Sequence, residues 1–574
     1  MTAPATALTA TALDDLLTRA EAPGGAFDPA ELARLDEAEE FPEAAHALLA
    51  EAGLGAHYVP ERHGGLLHGL DGTMAALRTV ARRDLTVAIA HGKTFLGAMP
   101  TWVAGDDRQA DLLSREIRSG AEVSWGLTER GTGSDLLAGR LSARPAPDSG
   151  KWLVNGEKWL INNATRARYT CVLARTRPEG GPRGFRFLLV DKDTLPDGTC
   201  RTLPKEPTHG IRGADISGLA LQDAPVADSA GIGPDGSGFE VLLRSLQLTR
   251  ICATSLSLGA ADHALPIAVR FLTGRRLYGQ RLADLPRIRR ALGDAAAALL
   301  LAEAVAVLAG RSAQSLPREL AVTAAVTKAF VPTTVQRSVD ALAELLGVRG
   351  FLTGVLEHGA FAKLDRDHRI VAVFDGSTAV NRHALITSFP LLARAHATGI
   401  HDGPGLRAAA ATGVTQPALD PRRLTLISDG GSSVVQSLPE AARLAAGRGR
   451  DDVAADARAL AEESARLHQD IADAREASRG ASAEAFALAQ RYELVHAGAA
   501  CLALWLHNEP APGARWWRDA LWVRACLTVV LRRLGLEPAA GPDARDLLSD
   551  ELLSADLPEG EFSLLTGLSG LETP

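Results

Sequence analysis

Three consecutive stretches beyond residue 237 are too apolar to be ordinary surface helices. VLLRSLQLTRICATSLSLGAADHALPIAVRFLTG, ALGDAAAALLLAEAVAVLAG and RELAVTAAVTKAFVPTTVQRSVDALAELLG all carry helical spacing. Each is apolar over more than a single stripe, so several of its faces need cover from other helices or from another subunit. A C-terminal four-helix-type bundle is therefore expected over residues 237–394, and oligomerisation is expected with it.

The texture upstream differs. EVSWGLTE, GRLSARP, KWLVNGEKWLI, RYTCVLART and GFRFLLVD are short strand-forming runs separated by Asp, Gly, Asn and Pro clusters, which predicts a β domain, barrel or sandwich, over 121–236. Asn155-Gly156 is read as the type I′ turn of a hairpin, since both central positions of that turn take positive φ. Residues 1–120 read as an N-terminal helical domain. From Phe41 the apolar positions Ala45, Leu48, Leu49 and Ala52 recur at helical spacing, with Pro42 in the first turn and Gly53 as the stop. Residues 395–574 read as an additional helical C-terminal domain, ending in an acidic stretch, DLLSDELLSADLPEGEFS, expected to be surface-exposed or partly disordered. The fold class is α+β.

A chain of 574 residues with 46% apolar content can bury several cores. Its formal charge of -8 arises from interspersed acids and bases, which leaves no electropositive field for a nucleic-acid backbone. Cys171, Cys200, Cys252, Cys501 and Cys526 are odd in number and unpaired in spacing, so they read as buried reduced thiols rather than disulfides or a metal site. The N-terminus lacks the charge and apolar run of a secretory signal, and runs such as CLALWL fall short of the roughly 20 residues that span a bilayer. A cytoplasmic protein that does not cross a membrane is expected.

Four segments carry chemistry: GLGAHYVPERHGG near the N-terminus with WGLTERGTGSD at 125–135, KWLINN at 158–163, RRLYGQRLADLP at 275–286, and KLDRDHRIVAVFDGSTAVNRHAL at 363–385. In order and spacing they resemble the acyl-CoA dehydrogenase family over about the first two thirds of the chain. The resemblance implies FAD as cofactor and an acyl thioester, carried on CoA or on an acyl carrier protein, as substrate. It also implies a homodimer or homotetramer, and an electron-transferring flavoprotein or another acceptor to collect the electrons.

Residue by residue, the resemblance implies that Trp125, Leu127, Thr128, Gly133 and Ser134 lie against the flavin. Hydroxyls and main-chain donors suit the edge of the ring where negative charge gathers on reduction, and Gly131 and Gly133 let the backbone come close. Leu160 stands where the family has a Trp, and Asn162 where it has a hydroxyl residue. Arg275 matches the family arginine that holds the FAD pyrophosphate of a neighbouring subunit, as a guanidinium can. Tyr278 follows it, Glu344, Gly347 and Val348 match the adenine-end segment, and Ser377 and Ala379 complete the cofactor set. Asp375 occupies the place of the family's catalytic base, usually Glu, and is shorter by about 1.5 Å. The alternative base position, on the helix LQLTRICAT, holds Thr249, which cannot serve. Ser134, Gln247, Arg250 and Gly376 are the substrate contacts.

In 515–533, Trp516, Trp517 and Trp522 mix with Arg515, Arg518, Arg524, Arg532 and Arg533. Such a mix could lie on an anionic membrane, but packing on a neighbouring domain or subunit is the preferred reading. Two other functions compete with the dehydrogenase: a flavin-dependent monooxygenase on the same fold, and a non-catalytic family member.

Overall fold

The computed structural model describes residues 8–147, 149–179, 181–474, 481–511, 513–554 and 561–568. The chain divides into two compact units. One comprises Met1–His68, Ala75–Thr249 and Ala418–Leu426; the other comprises Gly69–Met74, Arg250–Pro417 and Ile427–Pro574.

In the first unit, the helix Glu43–Glu51 starts at Pro42 and is followed by Gly53 in the left-handed region at φ +81°, where a glycine ends a helix without strain. The helix Leu85–Ala104 is buried along almost its whole length, and Asp84 accepts the Val87 N–H at 2.9 Å to cap it.

The same unit holds the sheet. Its strands are β1 (Val123–Gly126), β2 (Ser142–Ala146), β3 (Lys151–Asn162), β4 (Tyr169–Arg175), β5 (Phe185–Asp191), β6 (Cys200–Leu203), β7 (Ile216–Ala227) and β8 (Gly231–Ile232). They run in the order β6-β7-β3-β2-β4-β5-β8, with β1 pairing parallel to β4. Alternate residues, among them Val172 and Ala174, Leu188 and Val190, Leu219 and Leu221, make one continuous core.

Asn155-Gly156 is not a hairpin turn. It lies inside β3 as a bulge, where the register with β7 shifts between Val154 and Gly156. Gly156 takes φ +133°, and a Cβ there would stand 2.7 Å from the Leu141 Cα. The Asn155 amide exchanges hydrogen bonds with Asp223 instead, donating to its carboxylate at 2.9 Å and accepting its N–H at 2.8 Å. The same dipeptide chemistry that suits a type I′ turn suits a bulge, and pairing on both sides of the strand decided between them.

In the second unit the helices Thr254–Gly274, Pro286–Ser315 and Leu320–Leu346 are buried over most of their lengths. Pro286–Ser315 alone among the described helices is long and apolar enough to cross a membrane by length and composition, contrary to the expectation that every apolar stretch falls short. Scattered charges interrupt its apolar runs in the sequence but leave its mean hydropathy high, and neighbouring helices cover it.

The acidic C-terminal stretch is also better packed than expected. Leu548 and Leu552 of the helix Ala544–Ser554 are fully buried, as an i, i+4 pair on one face should be, and Leu564 is buried beyond them. Part of that stretch, 555–560, lies outside the described residues. Trp516, Trp517 and Trp522 are buried, and the Trp517 indole N–H donates to the Leu564 carbonyl at 3.0 Å. Cys171, Cys252, Cys501 and Cys526 are buried free thiols, whereas Cys200, at the start of the short strand β6, is only half-buried.

Candidate functional site

In the first unit, the segment after β1 is held by a buried ion pair. Lys158 donates from Nζ to the Glu129 carboxylate at 2.8 Å and to the Leu127 carbonyl at 3.1 Å. Glu129 also accepts the Arg140 and Leu141 N–H groups at 2.7 and 3.0 Å, which closes the loop 129–141 on itself. Burial pushes the Glu129 carboxyl up, but Lys158 and those two N–H groups outweigh it and hold it below its ordinary value.

Thr128 joins the loop to β3. Its hydroxyl donates to the Trp159 carbonyl at 2.6 Å, and its own carbonyl accepts the Trp159 N–H at 2.9 Å. That hydroxyl keeps only acceptor capacity. Gly131 and Gly133 are exposed at φ +83° and +43°, and a Cβ on either would meet nothing, so backbone conformation rather than crowding calls for glycine. Ser134 is exposed beside them.

Trp125, stacked on Phe187, is buried with its indole N–H unpartnered. Leu160 sits at a second bulge of β3 with φ +58° and is 44% exposed. Asn162 is buried; its amide nitrogen reaches the Ile89 carbonyl only at 3.5 Å, and its Oδ1 has no partner. Gln247 spends its amide donor on the Thr425 carbonyl at 2.7 Å and leaves Oε1 unpartnered. One unpartnered indole donor and two unpartnered amide oxygens in a Gly-rich setting are the kind of group a flavin's heteroatom edge would satisfy.

In the second unit, Arg275 ends the helix Thr254–Gly274, and its side chain is exposed. It leads into a two-residue hairpin in which Leu277 pairs with Gln280. The tip residues Tyr278 and Gly279 have φ +50° and +82°, so the type I′ geometry expected at Asn155-Gly156 occurs here. The Tyr278 ring is 96% exposed. Gly347, at φ +60°, terminates the helix Leu320–Leu346 by donating to the Ala343 and Glu344 carbonyls, and Val348 beyond it is exposed.

The turn carrying Asp375 precedes the helix Thr378–Thr398, which Ser377 caps by accepting the Val380 N–H at 3.3 Å. Ala379 in its first turn is exposed. Asp375 has φ +54°, and its Oδ2 is buried without a partner. Its main-chain N–H makes no hydrogen bond among the described residues.

The carbonyls of Val371 and of Phe374 through Ser377 are engaged. Arg250 Nε donates to Asp375 at 3.0 Å, and Asn381 donates to Gly376 and Ser377 at 2.7 and 3.0 Å. Lys328 Nζ donates to Val371 and Phe374, both at 2.7 Å, and lies 3.5 Å from the Gly376 oxygen. Gly376 has φ +95°, and a Cβ there would stand 3.0 Å from an Arg250 terminal nitrogen. Burial pulls Arg250 down to about 10 and Lys328 down to about 7, with Asp375 opposing in both cases.

The structure thus brings Arg250, Asp375, Gly376 and Ser377 together in one unit, and Thr128 with Leu160 and Asn162 along β3 in the other. Glu129, Lys158, Lys328 and Asn381 were not singled out from sequence. Lys328 had a visible signal, as the one charge in the apolar run AVTAAVTKAFV. Lys158 and Glu129 had none, because their pairing spans 29 residues.

A helical segment, an eight-stranded sheet and a bundle of buried helices, with these motifs at their ends, define an acyl-CoA dehydrogenase fold. Three family models match: the acyl-CoA dehydrogenase N-terminal domain over 28–121, the middle domain over 124–224 and the C-terminal domain over 236–388. The chain belongs to the acyl-CoA dehydrogenase family, whose members are FAD-dependent oxidoreductases acting on CH–CH bonds.

It is similar to the probable acyl-CoA dehydrogenase FadE25 of Mycobacterium tuberculosis, 27% identical over 61% of this chain and 88% of that protein. Among solved structures it is similar to the acyl-CoA dehydrogenase complexed with FAD from Bacillus anthracis, with TM-score 0.62 at 20% identity, over 95% of this chain and 94% of that one. It is also similar to the prolyl acyl carrier protein oxidase AnaB, with TM-score 0.59 at 20% identity, over 66% of this chain and 98% of that one. The Bacillus anthracis match extends beyond the three family domains, so helices past residue 395 have counterparts in a known fold.

Proposed function

We propose that the protein is an acyl thioester dehydrogenase that forms an α,β double bond, with Asp375 as the general base. The observation that carries this reading is the Asp375 turn. A carboxylate oxygen lies buried and unpartnered at the family's base position, on a turn whose carbonyls are satisfied by Arg250, Lys328 and Asn381.

The hydrogen next to a thioester carbonyl is weakly acidic, and Asp375 Oδ2 would take it as a proton. The charge then gathering on the thioester oxygen needs donors, and the free main-chain N–H of Asp375 is one available group. Arg250 and Gly376 would hold the thioester arm from the same unit. Ser134 and Gln247, the latter through its unpartnered Oε1, are the further substrate contacts that the family resemblance implies.

FAD, when bound, supplies the acceptor for the hydride that leaves the β-carbon. Trp125, Leu127, Thr128, Gly133, Ser134, Leu160 and Asn162 would hold its ring. Ser377 and Ala379 would complete the cofactor set. Arg275, Tyr278, Glu344, Gly347 and Val348 would hold the cofactor of a neighbouring copy in a homodimer or homotetramer. The relatives named above support either a CoA or a carrier-protein thioester; an electron-transferring flavoprotein or another acceptor would remove the electrons. A cytoplasmic setting suits these partners.

The test is anaerobic. The purified protein's flavin absorbance is followed on adding a panel of acyl-CoA and acyl-carrier thioesters, with Asp375→Asn alongside. Bleaching that the variant loses establishes the reaction and the base. Flavin that no thioester bleaches, but that an added reductase reduces and oxygen then reoxidises, replaces the dehydrogenase with a monooxygenase.

A further inference from the structure

We propose that Lys328 is a positioning residue for the base: by holding the turn from Val371 to Gly376, it sets where the short Asp375 carboxylate lies. The proposal rests on the reading of Asp375 as base.

Lys328 lies in the middle of the buried helix Leu320–Leu346 and is itself fully buried. A leucine or methionine could fill that volume without the cost of desolvating an ammonium, so the lysine is explained by what its donors hold. An ammonium has three N–H groups, and three carbonyls of one turn face it, at Val371, Phe374 and Gly376. The Phe374 ring lies 4.9 Å from the nitrogen and closes the site.

Two of those carbonyls belong to the residues flanking Asp375. The Asp375 carbonyl is held by Arg250 and its Oδ2 by nothing, so the carboxylate is placed by its backbone rather than by a bond of its own. That backbone is left-handed, a conformation aspartate visits more readily than most residues. Carbonyls stapled on both sides of Asp375 keep the turn there. With a carboxylate one carbon shorter than the family's, the turn has little slack, because a misplacement near 1 Å costs on the order of a hundredfold in rate.

The experiment compares wild type, Lys328→Met and Asp375→Asn by anaerobic stopped flow with butyryl-CoA, octanoyl-CoA and palmitoyl-CoA. It reads the bleaching rate per bound flavin, the thioester dissociation constant, the flavin content and the melting temperature. Lys328→Met is expected to lose about a hundredfold in rate per bound flavin while the dissociation constant changes far less. A merely structural lysine would lower melting temperature and flavin content and leave the rate per bound flavin at the wild-type value, and that result overturns the proposal. If Lys328→Met does not retain flavin, Lys328→Gln, which keeps two donors, is measured in the same way. An intermediate rate supports the proposal, and a wild-type rate overturns it. Wild-type bleaching by Asp375→Asn would remove the base itself, and is told apart because it leaves the Lys328 result standing without a carboxylate to position.

Discussion

The Arg382 guanidinium meets the Glu493 carboxylate through two nitrogens, at 2.7 and 2.9 Å, with the two side chains only 15% and 4% exposed. Arg382 is the family-matched arginine seven residues after Asp375, and Glu493 lies on the helix Ala483–His507, beyond the three matched domains. The helix Ala483–His507 is therefore locked to the helix Thr378–Thr398. Replacing Glu493 by Ala leaves a buried guanidinium unpaired and should cost about 3–5 kcal/mol. Denaturant unfolding should show that loss, and replacing both partners with apolar residues should cost less. Equal losses from the single and double changes would refute the coupling.

Gly156→Ala should destabilise the sheet. The added carbon would meet the Leu141 Cα at 2.7 Å on a backbone at φ +133°. Strain of this kind costs on the order of 1–3 kcal/mol. Thermal unfolding measures it directly, and an unchanged transition would mean that the bulge relaxes freely.

Lys158→Met should disorganise the loop that carries Thr128 and Ser134. Glu129 would remain buried without its cation, at a cost of about 3–5 kcal/mol. The expected result is loss of bound flavin at a temperature where the wild-type protein retains it. Full flavin content in this variant would show that the two backbone N–H groups suffice to hold Glu129.

Acid should destabilise the protein through its buried histidines. Burial pulls His46, His368, His468 and His496 down to about 4 in the folded chain. Unfolded, each titrates near 6.5. The unfolded chain thus binds more protons between those values. Stability is complete above about pH 6.5 and falls towards pH 4, by up to about 1.4 kcal/mol per pH unit for each histidine. Melting temperatures across that range should fall accordingly, and His496→Leu should flatten the slope. A profile level from neutral pH down to about 4.5 would contradict the burial.

Local pattern made most elements legible. Pro42 and Gly53 mark the ends of one helix, and short strand-forming runs such as RYTCVLART and GFRFLLVD, separated by Asp, Gly, Asn and Pro clusters, mark the sheet. The motif around Asp375 was legible because its residues are adjacent in the chain. Asn155-Gly156 was misread because its left-handed preference is local, whereas turn or bulge depends on which strands pair beside it. The acidic tail was misread because its charge hid the Leu548–Leu552 face.

The sequence by itself determined the order of helical, β and helical regions, the family, and that Asp375 stands at the family's base position, since each rests on residue type and short spacing. Only the tertiary structure decided what holds those residues. Glu129 with Lys158, Arg382 with Glu493, and Lys328 with the Asp375 turn are pairings across 29, 111 and more than 40 residues. Burial makes each partner depend on the other, and no local preference of the chain encodes which distant group will arrive.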